Sequence, residues 1–187
     1  MEENPKRMTR IIFQKTEDIK TVSIPERFEK IIPFGSKNSM LARCIVCEEA
    51  EKSGINDIRF GVGEYGKPFL LNTPEFHFNI SHTKDAVAVA ISGSEVGIDI
   101  EAIRKEVHTG IIEKYFTTDE KEYIGNSIER FTEIWCCKEA YLKCLGSGIN
   151  DIGILRALNV LDCPDAKFSR YEINDYCVVI CEVEDCK

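Results

Sequence analysis

Charged side chains interrupt two otherwise apolar segments of this chain of 187 residues, and they restrict how those segments can pack. The first segment, VGIDIE, covers Val96–Glu101, and the second, WCCKEAYLK, covers Trp135–Lys143. Burial of a charge without a partner is costly, so the acids and lysines must find partners wherever the two segments enter a core. We therefore expect the charges of both segments to converge.

The spacing of the acids within these segments predicts a metal site. On a strand, Asp99 and Glu101 are two residues apart and share one face. On a helix, Glu139 and Lys143 are four residues apart and also share one face. Three converging carboxylates repel one another unless a cation lies between them, which predicts a divalent metal. Each pair alone also fits a solvated strand face or an exposed ion pair worth about 0.3–0.5 kcal/mol.

Composition and charge limit the classes of protein to which the chain can belong. No apolar run is long enough to span a bilayer, and the first ten residues, MEENPKRMTR, lack the apolar stretch of a secretory signal. The net charge of −8 comes without a basic face, so neither nucleic acid nor a membrane is an expected partner. Nine scattered cysteines in such a chain predict reduced thiols and a cytoplasmic location.

Hydrophobic periodicity and capping residues predict two similar α+β halves, covering 1–95 and 96–187. The first half is expected to hold a helix from Ser36 to about Ser53, and the second a helix from about Ser127 to Leu145. Each long helix is predicted to pack on an antiparallel sheet. A capping box that begins at Thr117 predicts a shorter helix. Strands are predicted at 10–14, 58–60, 76–80, 86–91, 96–101, 153–161, 167–173 and 176–183.

Polar residues cluster where one of the predicted strands ends. The run FHFNISHT at 76–83 contains Asn79, Ser81 and His82. Ser81 and His82 can donate hydrogen bonds to a phosphate oxygen. Alternatively, Asn79 and Ser81 satisfy backbone groups of a turn, and His82 has a structural role. A GKP turn upstream makes Lys67 a further candidate for phosphate contact.

Four motifs in order resemble those of the 4′-phosphopantetheinyl transferases of the surfactin-synthetase-activating type. They are GKP at 66–68, FxFNxSH at 76–82, GxDxE at 97–101 and WxxKEAxxKxxGxG at 135–148. Agreement before Arg43 is weaker. The resemblance implies a pseudo-dimeric α+β fold, in which the halves 1–95 and 96–187 of one chain build one site, and therefore a monomer.

The resemblance also implies a reaction: transfer of the 4′-phosphopantetheine arm of coenzyme A to a serine of an apo acyl or peptidyl carrier protein, with release of 3′,5′-ADP. Asp99, Glu101 and Glu139 would then hold Mg²⁺ against the pyrophosphate of coenzyme A. Glu139 would accept the serine proton, directly or through water, and Lys143 would stabilise or protonate the leaving phosphate.

The remaining residues carried over by the resemblance would bind coenzyme A itself. For Arg27 and Lys30, solvated surface charge is an equally good interpretation. Lys138 is a weaker candidate because it points about 100° away from Glu139 on a helix. The full set of candidates for coenzyme A binding is Arg27, Lys30, Arg43, Lys67, Ser81, His82 and Lys138.

Two other functions could use the same residues: a metal-dependent pyrophosphate hydrolase, and a non-catalytic carrier-binding module with a decayed site. The chain lacks the extra acid-rich helix expected of a dedicated hydrolase, and it keeps every residue that the transfer needs. Carrier proteins are commonly acidic, as this chain is, so docking is expected to rest on an apolar patch. The residues predicted to contribute to it are Ile111, Ile112, Tyr115 and Phe116.

Overall fold

The computed structural model describes residues 9–17, 21–103, 109–147 and 152–183, and it confirms the predicted α+β class. Its N-terminal elements are β1 (Arg10–Lys15), α1 (Lys37–Lys52), β2 (Phe60–Val62), β3 (Pro68–Leu70), β4 (His77–His82) and β5 (Ala86–Ser92). Its C-terminal elements are β6 (Val96–Ala102), α2 (Thr109–Tyr115), α3 (Thr118–Ile124), α4 (Ile128–Leu145), α5 (Ile152–Ala157), β7 (Ala166–Ile173) and β8 (Tyr176–Val183). None of these helices combines the length and the apolar character needed to cross a membrane.

The two larger sheets have the same topology. Their strand orders are β1-β5-β4 and β6-β8-β7, and every pair is antiparallel. In each sheet, the first strand precedes a long helix along the chain, and the other two strands of the sheet follow that helix. The last strand along the chain lies in the middle of the sheet. Helix α1 packs on β4 and β5, and α4 packs on β6 and β8. The hairpin of β2 and β3 forms a small separate sheet.

Side-chain caps define where the helices begin, as the sequence predicted. Ser36 caps α1 and Ser127 caps α4, each hydroxyl accepting a hydrogen bond from the backbone N–H three residues further on. Thr117 and Glu120 form the predicted capping box at α3. Helix α4 ends at Gly146, whose φ of 68° lies in the left-handed region that favours glycine. Gly148, at the end of the fourth motif, lies outside the described residues.

The two larger sheets meet along their edge strands β4 and β6. Side chains of β4 accept hydrogen bonds from backbone N–H groups of β6, Asn79 Oδ1 from Ile98 at 3.0 Å and Ser81 Oγ from Ile100 at 3.3 Å. These bonds satisfy donors that an edge strand would otherwise leave unpaired. The apolar core behind this junction consists of Ala86, Ala88, Ala90, Val96, Ile98, Ile100, Tyr176, Val178 and Ile180.

Two of the predicted strands differ from the structure. The predicted strand at 153–161 is wrong, because Ile152–Ala157 forms helix α5 with Leu155 buried. A short apolar run without alternation fits a strand and a buried helical turn equally well. The strand predicted at 58–60 lies at Phe60–Val62 and pairs with Pro68–Leu70, a strand that the sequence analysis did not predict.

Candidate active site

Strand β6 directs alternate side chains to opposite sides. Ile98 and Ile100 face the core between the sheets, while Gly97 and Asp99 face helix α4. A Cβ atom on Gly97 would overlap the carbonyl oxygen of Ala140. The glycine therefore lets the strand approach the helix backbone closely, and this approach brings Asp99 within reach of α4.

Asp99, Ser81 and Lys143 form a hydrogen-bonded cluster where β4, β6 and α4 meet. Lys143 Nζ donates to Asp99 Oδ1 at 2.6 Å and to Ser81 Oγ at 2.8 Å, and Ser81 Oγ donates to Asp99 Oδ1 at 2.9 Å. Asp99 is 5% exposed, and its Oδ2 is buried without a hydrogen-bond partner. One carboxylate oxygen is therefore fixed by the protein, while the other can accept a cation or a donor.

The other two predicted metal ligands lie on the elements that carry this cluster. Glu101 is half-buried on the same face of β6 as Asp99, and Glu139 is 4% exposed on α4, one turn before Lys143. Within the described ranges, no three His, Cys, Asp or Glu side chains are grouped so that they could hold a metal ion. The convergence of the three acids on a metal stays a prediction.

Two further basic side chains, His82 and Arg43, are close enough to interact electrostatically, and Lys143 of the cluster also acts on His82. His82 ends β4, and partial burial of its ring, together with the positive charges of Lys143 and Arg43, lowers its pKa. Arg43 on α1 donates to the backbone oxygen of Ser39 at 3.2 Å and also to the hydroxyl of that residue. Its Nε is buried without a hydrogen-bond partner. Of the residues predicted from the sequence, the structure thus places His82 within electrostatic range of Lys143, and Arg43 within electrostatic range of His82.

Lys138 lies in the core and not at the cluster. It is fully buried, and its Nζ donates to Glu120 Oε2 at 2.9 Å, to the backbone oxygen of Leu155 at 2.9 Å and to that of Leu158. Burial lowers the pKa of Lys138, and its hydrogen bond with Glu120 opposes that shift. Because three protein acceptors already use its three N–H donors, we leave Lys138 out of the proposed coenzyme A site.

Lys67 is also held by protein acceptors. Its Nζ donates to Glu95 Oε2 at 2.6 Å, to the backbone oxygen of Cys144 at 2.9 Å and to that of Val96 at 3.3 Å. The Cys144 carbonyl belongs to the last turn of α4, where backbone oxygens lack partners within the helix. Lys67 therefore ties the GKP turn to the end of α4 and the start of β6, and we leave it out of the proposed coenzyme A site as well.

We expect Lys67→Met to lower the free energy of unfolding by about 2 kcal/mol, because a mostly buried charged donor is lost from its acceptors. Urea unfolding followed by circular dichroism measures this change. Lys30→Met, at an exposed position, is the control and should change stability by less than about 0.5 kcal/mol. A Lys67 variant as stable as the wild type would contradict this structural role.

The basic residues that precede α1 lie apart from the cluster. Arg27 Nε pairs with Glu51 Oε1 at 3.0 Å, near the C-terminal end of α1. The opposite, N-terminal end of α1 lies near His82, because Asn38 Nδ2 donates to the backbone oxygen of the next residue, Thr83, at 2.7 Å. Asn38 and Glu51 are about 20 Å apart along the helix axis. The structure does not bring Arg27 to the cluster, and Lys30 is an exposed residue of the same segment.

Two residues have roles that the sequence analysis did not assign. Asn79 binds the backbone of β6 and not a turn, and Glu120 binds Lys138 in addition to forming its capping box. Asn79 and Ser81 alternate on one strand face, a pattern that could have indicated a shared polar partner. The sequence around Glu120 gave no comparable indication of its ion pair, because its partner Lys138 lies on a different helix.

Comparisons with known proteins find similarity to one superfamily of enzymes. The family model described as the 4′-phosphopantetheinyl transferase superfamily matches residues 95–182, a range that contains Asp99, Glu101, Glu139 and Lys143. Over this range the chain is similar to members of this superfamily. The resemblance on which the sequence analysis relied is thereby confirmed.

Individual phosphopantetheinyl transferases match as well. The chain is similar to the 4′-phosphopantetheinyl transferase gsp of Aneurinibacillus migulanus (42% identity over 100 residues), to psf-1 of Bacillus pumilus (34% over 133) and to Sfp of Bacillus subtilis strain 168 (30% over 139). These matches cover 50%, 67% and 67% of this chain and 40%, 56% and 61% of the respective relatives. The chain therefore spans about half the length of the curated relatives that it matches.

Proposed function

We propose that the chain transfers the 4′-phosphopantetheine arm of coenzyme A to a serine of an apo acyl or peptidyl carrier protein and releases 3′,5′-ADP. The observation that carries the proposal is the Asp99–Ser81–Lys143 cluster, which joins residues of three superfamily motifs through hydrogen bonds of 2.6–2.9 Å. The proposal includes a cytoplasmic monomer in which the half at 1–95 binds mainly the nucleotide and the half at 96–187 holds the metal and the catalytic residues.

The anionic end of coenzyme A would lie against the positive side of the cluster. Its phosphates would be bound by His82 and Arg43, and by Ser81 where its hydroxyl exchanges Asp99 Oδ1 for a phosphate oxygen. Arg27 and Lys30 are more distant candidates for the 3′-phosphate. The pKa of His82 is lowered in the unbound protein, so its ring is mostly neutral near pH 7. A neighbouring phosphate favours the protonated ring and so offsets the effect of Lys143 and Arg43.

Asp99, Glu101 and Glu139 are the proposed ligands of Mg²⁺. The buried Oδ2 of Asp99, which lacks a hydrogen-bond partner, supports this assignment. So does the chemistry of the donor set, because Mg²⁺ prefers carboxylate and water oxygens. When bound, Mg²⁺ supplies a positive charge that polarises the phosphoryl group under attack.

Proton transfer and charge stabilisation are assigned to residues of α4. Glu139 would accept the proton of the attacking serine, because it lies on the same helix face as Lys143, one turn earlier. Lys143 would stabilise the charge that develops on the leaving phosphate. Its ammonium is already oriented by Asp99 and Ser81, so little reorganisation is needed during the reaction.

Intact mass spectrometry of an apo carrier protein tests the proposed function. The carrier is incubated with this protein and coenzyme A, with Mg²⁺ in one sample and EDTA in the other. A gain of one phosphopantetheine group that requires the metal supports the transfer. Release of free 4′-phosphopantetheine and 3′,5′-ADP without carrier modification would indicate a pyrophosphate hydrolase. Carrier binding without any turnover would indicate a non-catalytic module.

Of the apolar residues predicted to bind the carrier, Ile111 and Tyr115 are half-buried on α2, whereas Ile112 and Phe116 belong to the core. We therefore expect the double variant Ile111→Ala, Tyr115→Ala to raise the KM for the carrier about tenfold, since apolar anchors dominate interfaces. Its KM for coenzyme A should stay within about twofold.

Steady-state kinetics at varied carrier concentration measures this effect. Tyr171→Ala on β7 is a matched control, because that side chain is 45% exposed and the α2 prediction does not include it. An unchanged KM for the carrier in the α2 variant would exclude this docking surface.

A further inference from the structure

We infer that Lys138, together with Glu120, is a positioning residue that sets the rotation of α4 and so the direction of Glu139. The inference rests on the proposed function, because Glu139 takes its role from that reaction. Lys138 precedes Glu139 directly, yet the coenzyme A site does not use it. Its ammonium instead forms a fully buried ion pair with Glu120 at 2.9 Å.

The carboxylate of Glu120 is as completely bonded as the ammonium. Its Oε2 accepts from the backbone N–H of Thr117 at 2.9 Å as well as from Lys138, and its Oε1 accepts from the backbone N–H of Val160 at 2.9 Å. The pair therefore joins four segments: the start of α3, helix α4, the end of α5 and the segment that follows α5. With every charged group satisfied, the pair permits one arrangement of these segments.

Stability alone is a weak reason for such a pair. Taking two charges out of water offsets most of their attraction, and replacing a buried ion pair by apolar residues of similar volume is often neutral or stabilising. An apolar replacement loses the directional constraint of the hydrogen bonds. Apolar contacts allow a helix to rotate, whereas three hydrogen bonds to one ammonium hold it in one orientation. The structural consequence of Lys138 is therefore expected in the geometry of α4.

Helix α4 carries two lysine anchors on either side of Glu139. Lys143 is bonded to Asp99 and Ser81 on the strand side, and Lys138 is bonded to the α3 and α5 side. The two lysines are about 140° apart around the helix and about 7.5 Å apart along it. Because the two lysines differ in both their angle around the helix axis and their position along it, they fix both the rotation and the translation of the turn that carries Glu139. Without Lys138, the turn can rotate about the remaining anchor.

The test removes both charges at once with the double variant Lys138→Met, Glu120→Leu. We expect this variant to fold with a cooperative thermal transition and to bind coenzyme A in the absence of metal about as tightly as the wild type. Its kcat should fall about tenfold or more, since a misplacement near 1 Å is enough for such a loss, and both KM values should stay within about twofold.

A second ion pair of α4 provides the matched control. Glu133 Oε1 accepts from Arg170 Nε at 2.9 Å and links the helix to β7. The double variant Glu133→Gln, Arg170→Gln also removes an ion pair from α4, but it leaves both lysine anchors in place. Its kcat should stay within about twofold of the wild type.

Two further measurements separate positioning from folding. Glu120→Gln is a milder change that keeps an acceptor opposite Lys138, and it should give an intermediate loss of kcat. In a double-mutant cycle, Lys138→Met should lower kcat less in a Glu139→Gln background than in the wild type, because the lysine acts through Glu139. Additive losses would overturn the inference.

The same assay distinguishes the two ways in which the inference can fail. A folded Lys138→Met, Glu120→Leu variant with kcat within about twofold of an active wild type would overturn the positioning role alone. A raised KM with unchanged kcat would do the same. An inactive wild type would overturn the proposed function and this inference together.

Discussion

Replacing Asp99 by asparagine is expected to lower the turnover number about 10²-fold or more while leaving the fold intact. The substitution keeps the size of the side chain and removes its charge. It leaves Lys143 bonded to Ser81, and Lys143 is exposed enough to be hydrated. What is lost is the buried carboxylate oxygen proposed as a Mg²⁺ ligand and the orientation that Asp99 gives to the Lys143 ammonium.

The rate of carrier modification at saturating substrates, measured by intact mass spectrometry over a range of Mg²⁺ concentrations, checks this prediction. Coenzyme A binding without metal gives an independent readout, and it should be unchanged or tighter, because the substitution removes one negative charge from a site that binds phosphates. Asp57→Asn, the same substitution at an exposed ion pair, is the control. Wild-type turnover in Asp99→Asn would refute the assignment of Asp99 to the site.

Local patterns were sufficient to predict the elements that carry the site. The N-cap at Ser36 located the first long helix, because a hydroxyl at the N-cap binds a backbone N–H within the same turn. The apolar stripe of the second long helix located it from about Ser127 to Leu145. The strand predicted at 153–161 was wrong because this segment has no clear local pattern. Its helix is only six residues long, too short for a clear period, and its end is bonded to a distant lysine.

The partners of the charged residues could not be predicted in the same way. Spacing placed Glu139 and Lys143 on one helix face, and that inference needs only the helical repeat. That Lys143 would bind Asp99, and that Lys138 would bind Glu120, depends on which elements pack together. The partners in each pair lie too far apart along the chain for the repeat of a single helix or strand to relate them. Lys67 illustrates the limit, because its acceptors lie on two separate parts of the chain, at Glu95 and Val96 and at Cys144.

The glycine of the GxDxE motif connects the fold to the site. Gly97 is needed for space and not for an unusual backbone, since its φ lies outside the left-handed region. A Cβ atom at this position would overlap the carbonyl oxygen of Ala140 and lie 2.5 Å from the backbone N of Cys144. Both are backbone atoms of α4, so no side-chain rotation can relieve the overlap. Only a shift of β6 away from α4 can do so.

Gly97→Ala is therefore expected to lower the free energy of unfolding by about 3 kcal/mol or more, the upper range for overpacking a core. The shift should also separate Asp99 from Lys143, so activity should fall even where the variant is folded. Urea unfolding gives the stability. Gly110→Ala is the control, because a Cβ atom there meets nothing within 4 Å and alanine favours the helix by about 0.5–1 kcal/mol. A Gly97→Ala variant within about 1 kcal/mol of the wild type would mean that β6 and α4 do not pack at this distance, and the Asp99–Lys143 cluster would lose its structural basis.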